Sequence, residues 1–185
     1  GDCRIVGVPG WLSPDCDRAT PGVERTLTMA DVKLRVLFLC VHNSARSQMA
    51  EALLRKHGGD AFVVESAGFE HKSILPAAVE AMKQVGVDIS AAASQSVFDL
   101  FRAGRIYDYV VTVCDEASAE RCPIFPGVCE RLHWTLPDPS LAETEAERVS
   151  LAAAVRDQID ARIRAWLREL EGGGGQSLQF NKRET

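Results

Sequence analysis

A cysteine and an arginine separated by five residues form the pair in this sequence best suited to chemistry. They are Cys40 and Arg46, and the residues between them read Val-His-Asn-Ser-Ala. A cysteine thiolate is a strong nucleophile, and a guanidinium can bind two oxygens of a tetrahedral anion at once. A loop of this length can curl so that its backbone N–H groups converge on such an anion. The spacing therefore predicts a nucleophile that attacks a phosphate-like oxyanion.

The backbone N–H groups of the loop and the guanidinium of Arg46 are predicted to form a cradle that binds the oxyanion. Its members are Val41, His42, Asn43, Ser44, Ala45 and Arg46. A helix predicted to begin near Arg46 contributes about half a positive charge at its N-terminus, which favours both the thiolate and a bound anion. Asn43 tolerates the left-handed backbone geometry that a tight loop needs. His42 is expected to be an exposed loop residue rather than a base.

Two serines of the loop region can donate hydrogen bonds to the thiolate or to loop carbonyls. These are Ser44 and Ser47. Ser47 is equally suited to cap the helix that follows, so both roles stay open at this point.

Displacement at the central atom of an oxyanion also requires an acid that protonates the departing oxygen. The segment Pro137-Asp138-Pro139 is suited to supply one. Its two prolines restrict the backbone around Asp138, which lowers the entropy lost in holding the carboxylate near the nucleophile. The same tripeptide is also ordinary turn chemistry. Asp138 is thus a candidate general acid.

Alternating strands and helices are predicted to position these residues. Strands are predicted over 34–40, 62–65, 107–114 and, as a weaker edge strand, 130–134. Helices are predicted from Arg46 to Gly58, from Pro76 to Gly86, over 96–102, and onward from a capping box of Thr144 and Glu147. This order predicts an α/β fold, a three-layer sandwich in which helices cover both faces of a four-stranded parallel sheet.

Two cysteines fall at the carboxyl ends of predicted strands. Cys40 ends the first strand and Cys114 ends the third. Open α/β sheets bind ligands at these ends, so the two sulfurs share one edge of the sheet if the strands are neighbours. The chain has six cysteines but no Cys-x-x-Cys pair, and its four histidines lie at unrelated spacings, so no metal site is expected. Catalysis is the better use of these thiols in a reducing compartment.

Composition limits the partners and the location of the protein. With 26 Asp and Glu against 21 Lys and Arg, the charge gives no broad attraction to nucleic acid or to anionic lipid. No run approaches the roughly 18 apolar residues that span a bilayer, and no signal peptide is recognisable, so we expect a cytoplasmic protein.

The 185 residues suffice for one well-packed domain. We expect an N-terminal extension at 1–33 that is disordered or partly non-native, the catalytic domain at 34–171, and a flexible tail at 172–185.

The segment that contains these loop residues resembles a known family. Val36–Leu54 reads Val-Leu-Phe-Leu-Cys-Val-His-Asn-Ser-Ala-Arg-Ser-Gln-Met-Ala-Glu-Ala-Leu-Leu and looks like the signature of arsenate reductases with the low-molecular-weight phosphatase fold. The likeness covers roughly residues 34–170. It continues in the family's order through Glu65-Ser-Ala-Gly68, Val111-Thr-Val-Cys-Asp115, Cys122-Pro-Ile-Phe-Pro126, and His133-Trp134 with Pro137-Asp-Pro139.

The resemblance implies reduction of arsenate to arsenite. It assigns Cys40 as the nucleophile, with Arg46 and the loop amides as the oxyanion cradle. It assigns Ser47 as a hydrogen-bond donor to the thiolate and Asp138 as the general acid. A phosphatase stops when water hydrolyses the covalent intermediate, whereas a reductase needs a second thiol that attacks Cys40 and expels arsenite.

The resemblance further implies a relay of thiols that ends at an external reductant. Cys114 is the candidate for the attack on Cys40, and Cys122 would then attack Cys114 after partial unfolding of the segment 115–121. The resulting disulfide would be reduced by thioredoxin or a similar dithiol, and no bound cofactor is implied. Cys129 remains an alternative terminal thiol.

Two other functions fit the same residues. A tyrosine phosphatase on this scaffold would use Cys40, Arg46 and Asp138 equally well, but it would leave Cys114 and Cys122 without a role. It should also present aromatic walls to a phosphotyrosine ring, and the only two tyrosines, Tyr107 and Tyr109, belong to the third predicted strand. A noncatalytic module that binds oxyanions or metalloids would not need an acid.

Overall fold

A computed structural model of the chain describes residues 33–70, 72–114 and 124–172. The predicted N-terminal extension, nearly all of the predicted tail, and Cys122 lie outside these residues. The strands are β1 (Leu34–Cys40), β2 (Phe62–Gly68), β3 (Tyr109–Thr112) and β4 (Glu130–His133). The helices are α1 (Arg46–Gly58), α2 (Pro76–Lys83), α3 (Val97–Arg102) and α4 (Glu145–Gly172), with 3₁₀ turns at Gly59–Ala61 and Pro139–Leu141.

The four strands form one parallel sheet in the order β2-β1-β3-β4. β1 is therefore central, and the prediction that the first and third strands are neighbours is confirmed. From β1 the chain continues to β2 on one side, whereas β3 lies on the other side. A crevice opens at the carboxyl end of a strand where the connections diverge in this way. Cys40 is the last residue of that strand.

Helices cover both faces of the sheet, so the predicted three-layer α/β sandwich is confirmed. Along β1, side chains point alternately to the two faces. On one face, Val36 and Phe38 pack in the larger core with residues of α1, α2 and α4. On the other face, Leu37 and Leu39 pack with residues of α3 and with Phe125.

The third strand is shorter than predicted. The sequence predicts it over 107–114, whereas it spans only Tyr109–Thr112, the four residues that pair with both β1 and β4. Tyr107 precedes the strand, and its ring packs edge-on against Phe125 at 5.2 Å between centroids. Beyond the strand the chain stays beside β1, since the Val113 N–H donates to the Leu39 carbonyl at 2.8 Å. Cys114 therefore lies just past the strand end rather than within it.

The remaining elements agree with the sequence more closely. β2 runs to Gly68, past the predicted end at residue 65, and α2 ends at Lys83, three residues before Gly86, whose φ is 73°. The predicted capping box of α4 is confirmed. The Thr144 N–H donates to Glu147 Oε2 at 3.0 Å, and the Glu147 N–H donates to Thr144 Oγ1 at 3.2 Å. The backbone hydrogen bond from Thr144 lowers the pKa of Glu147.

α4 is the longest helix and closes the larger core. The predicted apolar stripe is confirmed at its centre, where Val155, Ile159, Ile163 and Trp166 are buried against the sheet and α1. None of the helices in the described part of the chain combines the length and apolar content that crossing a bilayer requires.

Candidate active site

The loop between β1 and α1 connects the central strand to a helix N-terminus. Cys40 ends the strand and Arg46 begins the helix, so the five intervening residues form a tight turn at the crevice of the sheet. Asn43 has a φ of 50°, the left-handed geometry predicted for it. The loop is held from outside by backbone hydrogen bonds to the chain after β2. These run from Glu70 N to Val41 O, from Lys72 N to His42 O, and from Leu75 N to Ser44 O.

Two donors converge on the Cys40 thiol, which is 2% exposed. The Asn43 backbone N–H donates to Cys40 Sγ at 3.0 Å, and Ser47 Oγ lies 2.9 Å from the same sulfur. A thiolate can only accept hydrogen bonds, and both groups are positioned to donate to one at this sulfur. The cap position of α1 is occupied by Ala45, whose side chain cannot accept a hydrogen bond. Ser47 therefore contacts the sulfur and does not cap the helix.

The Asn43 side chain, fully buried, organises the loop from within. Its Nδ2 donates to Ser47 Oγ and to Ser66 Oγ, both at 2.9 Å. Its Oδ1 accepts from Gln48 Nε2 at 3.1 Å and from the Gln95 N–H at 2.8 Å. All four hydrogen-bonding positions of the amide are thus used, which fixes its orientation.

Arg46 and Asp138 meet across the loop, although 91 residues separate them in the chain. Arg46 is 5% exposed; its Nη1 donates to the Leu136 carbonyl at 3.2 Å, and its Nη2 donates to Asp138 Oδ2. Asp138 Oδ1 accepts from the N–H and the hydroxyl of Ser140, at 2.9 and 2.7 Å. The candidate general acid thus lies beside the guanidinium that is predicted to bind the oxyanion.

Gly68 allows the loop to approach β2 closely. A Cβ at this position would lie 2.7 Å from the Asn43 nitrogen, 2.9 Å from the His42 carbonyl carbon and 2.6 Å from the Glu70 oxygen. All three contacts are to backbone, which cannot move aside as a flexible side chain can. The position therefore requires glycine.

His42 lies at the edge of the loop rather than over the sulfur. Its Nε2 is 3.4 Å from Glu70 Oε2, and its side chain is 24% exposed. Its carbonyl accepts hydrogen bonds from the Lys72 N–H and from Ser94 Oγ. These contacts fit a structural role in the loop better than that of a base.

A carboxyl group lies on α1 behind the loop. Burial raises the pKa of Glu51, and hydrogen bonds with Ser66 and the charge of Arg55 oppose that rise. Arg55 Nη2 lies 2.6 Å from Glu51 Oε1. Within the three described ranges, no group of three or more His, Cys, Asp or Glu side chains converges in a way that could hold a metal ion.

The other described cysteines lie at opposite ends of the sheet. Cys114 is fully buried and follows Val113, which lies beside the end of β1. It therefore shares the carboxyl edge with Cys40. Cys129 immediately precedes β4 at the amino edge and packs, half-buried, against the smaller core. The predicted relay residue Cys122 lies outside the described residues.

Sequence reasoning missed several residues that position the predicted ones. They are Gln48, Ser66, Gly68, Gln95 and Ser140. Ser66 and Gly68 fall in the Glu65-Ser-Ala-Gly68 segment that resembles the arsenate reductase family, which was the one available signal for them. Gln95 and Ser140 belong to no recognisable pattern, and only the folded chain brings them to the loop.

Comparisons with known proteins agree with this geometry. The family described as low molecular weight phosphotyrosine protein phosphatase matches residues 35–175. The arsenate reductase of Bacillus licheniformis is 42% identical over 134 residues, which cover 71% of this chain and 94% of that protein.

Two solved structures have the same fold. A thioredoxin-dependent arsenate reductase of Corynebacterium glutamicum superimposes with a TM-score of 0.59 at 33% identity, covering 78% of this chain and 65% of its own. The chain thus spans just under two thirds of that protein. An arsenate reductase in the phosphate-binding state gives a TM-score of 0.58 at 28% identity, covering 74% of this chain and 98% of its own. The Cys40 loop lies at the crevice of the sheet, and both the family model and the arsenate reductase relatives match most of the chain. The chain therefore belongs to the low-molecular-weight phosphotyrosine protein phosphatase family.

Proposed function

We propose that this protein is an arsenate reductase that reduces arsenate to arsenite with Cys40 as the nucleophile. The observation that carries the proposal is the Cys40 sulfur, which lies within 3.0 Å of two hydrogen-bond donors in a loop that ends at Arg46. Relatives at 42% identity that carry the name arsenate reductase support arsenate as the substrate.

In the first step, the Cys40 thiolate attacks arsenic and a sulfur–arsenic bond forms. One hydroxyl group of arsenate leaves as water after it takes a proton from Asp138, as its bond to arsenic breaks. Arg46 binds two of the remaining oxygens, and the loop amides and the dipole of α1 stabilise their negative charge. The contact between Asp138 and Arg46 supports this division of roles, because it places the acid beside the guanidinium that binds the oxyanion.

In the second step, Cys114 attacks the Cys40 sulfur. A disulfide forms between the two cysteines, the electron pair of the sulfur–arsenic bond passes to arsenic, and arsenite departs. Two thiols are thereby oxidised and arsenic is reduced from the pentavalent to the trivalent state. The position of Cys114 at the carboxyl edge, just past the level of Cys40, supports this assignment.

The third step moves the disulfide to a terminal thiol, for which we propose Cys122 rather than Cys129. Cys129 lies at the level of Asp108, since the Glu130 N–H donates to the Asp108 carbonyl. Six residues of nearly extended chain separate that level from Cys114, which corresponds to roughly 20 Å. Cys122 is only eight residues from Cys114 in the chain, which supports its choice over Cys129.

We propose a thioredoxin-like dithiol as the reductant of the final disulfide. The relay ends in a disulfide whose reduction requires an external electron donor. A structural neighbour that is named thioredoxin-dependent supports this choice of partner. Because the thiols must start reduced, we propose the cytoplasm as the compartment.

The placement of the tyrosines favours reduction over phosphotyrosine hydrolysis. The Tyr107 ring packs against Phe125, and the Tyr109 ring packs against Trp166 at 5.0 Å. Both tyrosine rings therefore pack in the hydrophobic cores and do not line a binding site for a phosphotyrosine ring. Slow hydrolysis of small aryl phosphates remains expected, since it needs only Cys40, Arg46 and Asp138.

The test is arsenate-dependent NADPH oxidation in the presence of thioredoxin and thioredoxin reductase. Wild type, Cys40→Ser, Cys114→Ser and Cys122→Ser are compared, with Cys129→Ser as the matched control. We expect multiple turnover by the wild type and by Cys129→Ser only. Cys114→Ser should retain hydrolysis of aryl phosphates, which Cys40→Ser should lose. Arsenate turnover by Cys114→Ser at the wild-type rate would refute the relay.

A further inference from the structure

We propose that Ser140 is a positioning residue that fixes which oxygen of Asp138 carries the catalytic proton. The inference rests on the proposed function, in which Asp138 protonates the departing oxygen of arsenate. Ser140 touches neither the thiol nor the guanidinium, so it would act only through the Asp138 carboxylate.

The two oxygens of Asp138 have different partners. Oδ1 accepts two hydrogen bonds from Ser140, from the N–H at 2.9 Å and from the hydroxyl at 2.7 Å. Oδ2 contacts Arg46 Nη2. The 3₁₀ turn Pro139–Leu141 sets this geometry, because Asp138 occupies its N-cap position and Pro139 is buried. The turn therefore points one oxygen towards Ser140 and the other towards the loop.

This asymmetry decides where a proton can reside. A proton on Oδ1 would place a third hydrogen beside an oxygen that already accepts two, so one of the Ser140 bonds would have to break. Oδ2 has the guanidinium as its partner, and a bound oxyanion competes for that same guanidinium. When the oxyanion takes Arg46, Oδ2 loses its hydrogen-bond donor, whereas Oδ1 keeps both donors of Ser140, so Oδ2 is the oxygen with room to hold a proton. The proton then passes from Oδ2 to the departing oxygen as the arsenic–oxygen bond breaks.

The same Asp-x-Ser hydrogen bond occurs once more among the described residues and provides a control. The Ser90 N–H donates to Asp88 Oδ1 at 2.8 Å, and the backbone and side-chain hydrogen bonds of Ser90 lower the pKa of Asp88. Asp88 is fully exposed and lies in the turn after α2. The hydrogen bond itself is thus ordinary turn chemistry, and the contact of the second oxygen with Arg46 is what distinguishes Asp138.

The experiment compares Ser140→Ala, Ser140→Thr and Ser90→Ala with the wild type. Two quantities are measured, namely kcat for arsenate reduction and the Kd for inorganic phosphate, used as an unreactive probe of the cradle. For Ser140→Ala we expect kcat to fall about tenfold, the effect of one hydrogen bond to a charged group. Phosphate should bind equally or up to about threefold more tightly, since a loosened carboxylate competes less for Arg46. Ser140→Thr should restore kcat, and Ser90→Ala should match the wild type.

These two readouts separate positioning from a general structural effect. A damaged loop would weaken phosphate binding and kcat together, and that parallel loss would overturn the proposal. So would a kcat of Ser140→Ala within twofold of the wild type. Absence of arsenate turnover by the wild type would instead reject the proposed function and this inference with it. Active wild type with an unaffected Ser140→Ala would reject only the inference.

Discussion

Asn43 Nδ2 donates to Ser47 Oγ at 2.9 Å, and the same hydroxyl oxygen lies 2.9 Å from Cys40 Sγ. A hydroxyl oxygen that accepts from an amide keeps its own hydrogen for another acceptor. When Cys40 is a thiolate it can only accept hydrogen bonds, so the Ser47 hydroxyl then donates to the sulfur. The Asn43 amide thus holds this serine beside the nucleophile, and we expect a change in the amide to alter the reactivity of the thiol.

The first prediction concerns Asn43→Asp. Aspartate tolerates the left-handed backbone, but an ionised carboxylate cannot donate a hydrogen bond. Ser47 and Ser66 therefore lose the donor that Asn43 Nδ2 provides, and a buried negative charge is introduced near the sulfur. We expect about tenfold slower alkylation of Cys40 by iodoacetamide at pH 7, measured by mass spectrometry, and a loss of about 2–4 kcal/mol of unfolding free energy in urea.

Ser94→Ala is the control for that change. Its hydroxyl donates to the His42 carbonyl at 3.3 Å, outside the network around the sulfur. We expect it to change alkylation by less than about twofold and stability by less than about 1 kcal/mol. Equal alkylation rates in Asn43→Asp and the wild type would show that the network does not act on the thiol.

The second prediction concerns Arg46→Lys. A lysine keeps the charge but loses the planar fork, so it cannot bind two oxygens of arsenate at once as the guanidinium can. Removing one donor of this kind from an oxyanion site costs about 10²–10³ in rate. We expect a fall of that size in kcat/KM for arsenate. A value within about fivefold of the wild type would contradict a bidentate role.

The sequence was sufficient to predict the elements and the reacting groups, for physical reasons that can be named. Buried parallel strands are nearly continuous apolar runs, so β1 was predicted with its observed bounds. The pair of Thr144 and Glu147 is a local signal, because both hydrogen bonds lie within one helical turn. Cys40 and Arg46 belong to one loop, and their spacing is visible without a structure.

Contacts between distant segments could not be predicted in the same way. Gln95 reaches Asn43 from 52 residues away, and its N–H donor carries no sequence signal at all. The hydrogen bond from Arg46 to the Leu136 carbonyl also has no sequence signal, because every residue has a backbone carbonyl. The early end of β3 depends on how far its neighbours β1 and β4 pair with it, which is a property of the sheet rather than of the strand.

The third prediction concerns Gly68→Ala. The added Cβ would lie 2.6–2.9 Å from three backbone atoms, so the loop or β2 must shift. We expect a destabilisation of about 1–3 kcal/mol, typical of an inserted methyl group in a packed site. Arsenate turnover should fall by at least about tenfold, because the shift moves the Asn43 N–H away from the sulfur.

Gly172→Ala at the end of α4 provides the matched control. The position is helical, and no atom of the described residues lies within 4 Å of a Cβ added there. The substitution should leave turnover unchanged and alter stability by less than about 1 kcal/mol. For both variants, thermal unfolding measures stability, and arsenate-dependent NADPH oxidation with thioredoxin and thioredoxin reductase measures turnover. A Gly68→Ala protein with the activity and stability of Gly172→Ala would show that the loop has room at β2.

The fourth prediction concerns the ionic contact that joins α1 to α4. His57 Nε2 lies 2.5 Å from Asp160 Oδ1, and Arg164 Nε donates to Asp160 Oδ2 at 2.7 Å. Partial burial alone would raise the pKa of Asp160, but the hydrogen bonds and charges of His57 and Arg164 outweigh it and lower the pKa below its usual value. A carboxyl group that is more acidic in the folded state stabilises the fold above its unfolded pKa. That stabilisation is lost as the pH falls through the folded pKa.

Asp160→Asn should therefore be less stable than the wild type at pH 7, by about 1 kcal/mol for a pair that remains partly exposed. The difference should shrink as the pH falls below about 4, because the carboxyl group of the unfolded chain then takes up a proton while the folded one, whose pKa is lower, is still ionised. Urea denaturation at pH 7 and pH 3 measures it. Asp99→Asn, which removes an exposed pair with Arg102, should change stability by less than about 0.5 kcal/mol at pH 7. If the deficit of Asp160→Asn were the same at both pH values, the amide would be disturbing the packing of α1 on α4, and the charge on Asp160 would not be the source of the stabilisation.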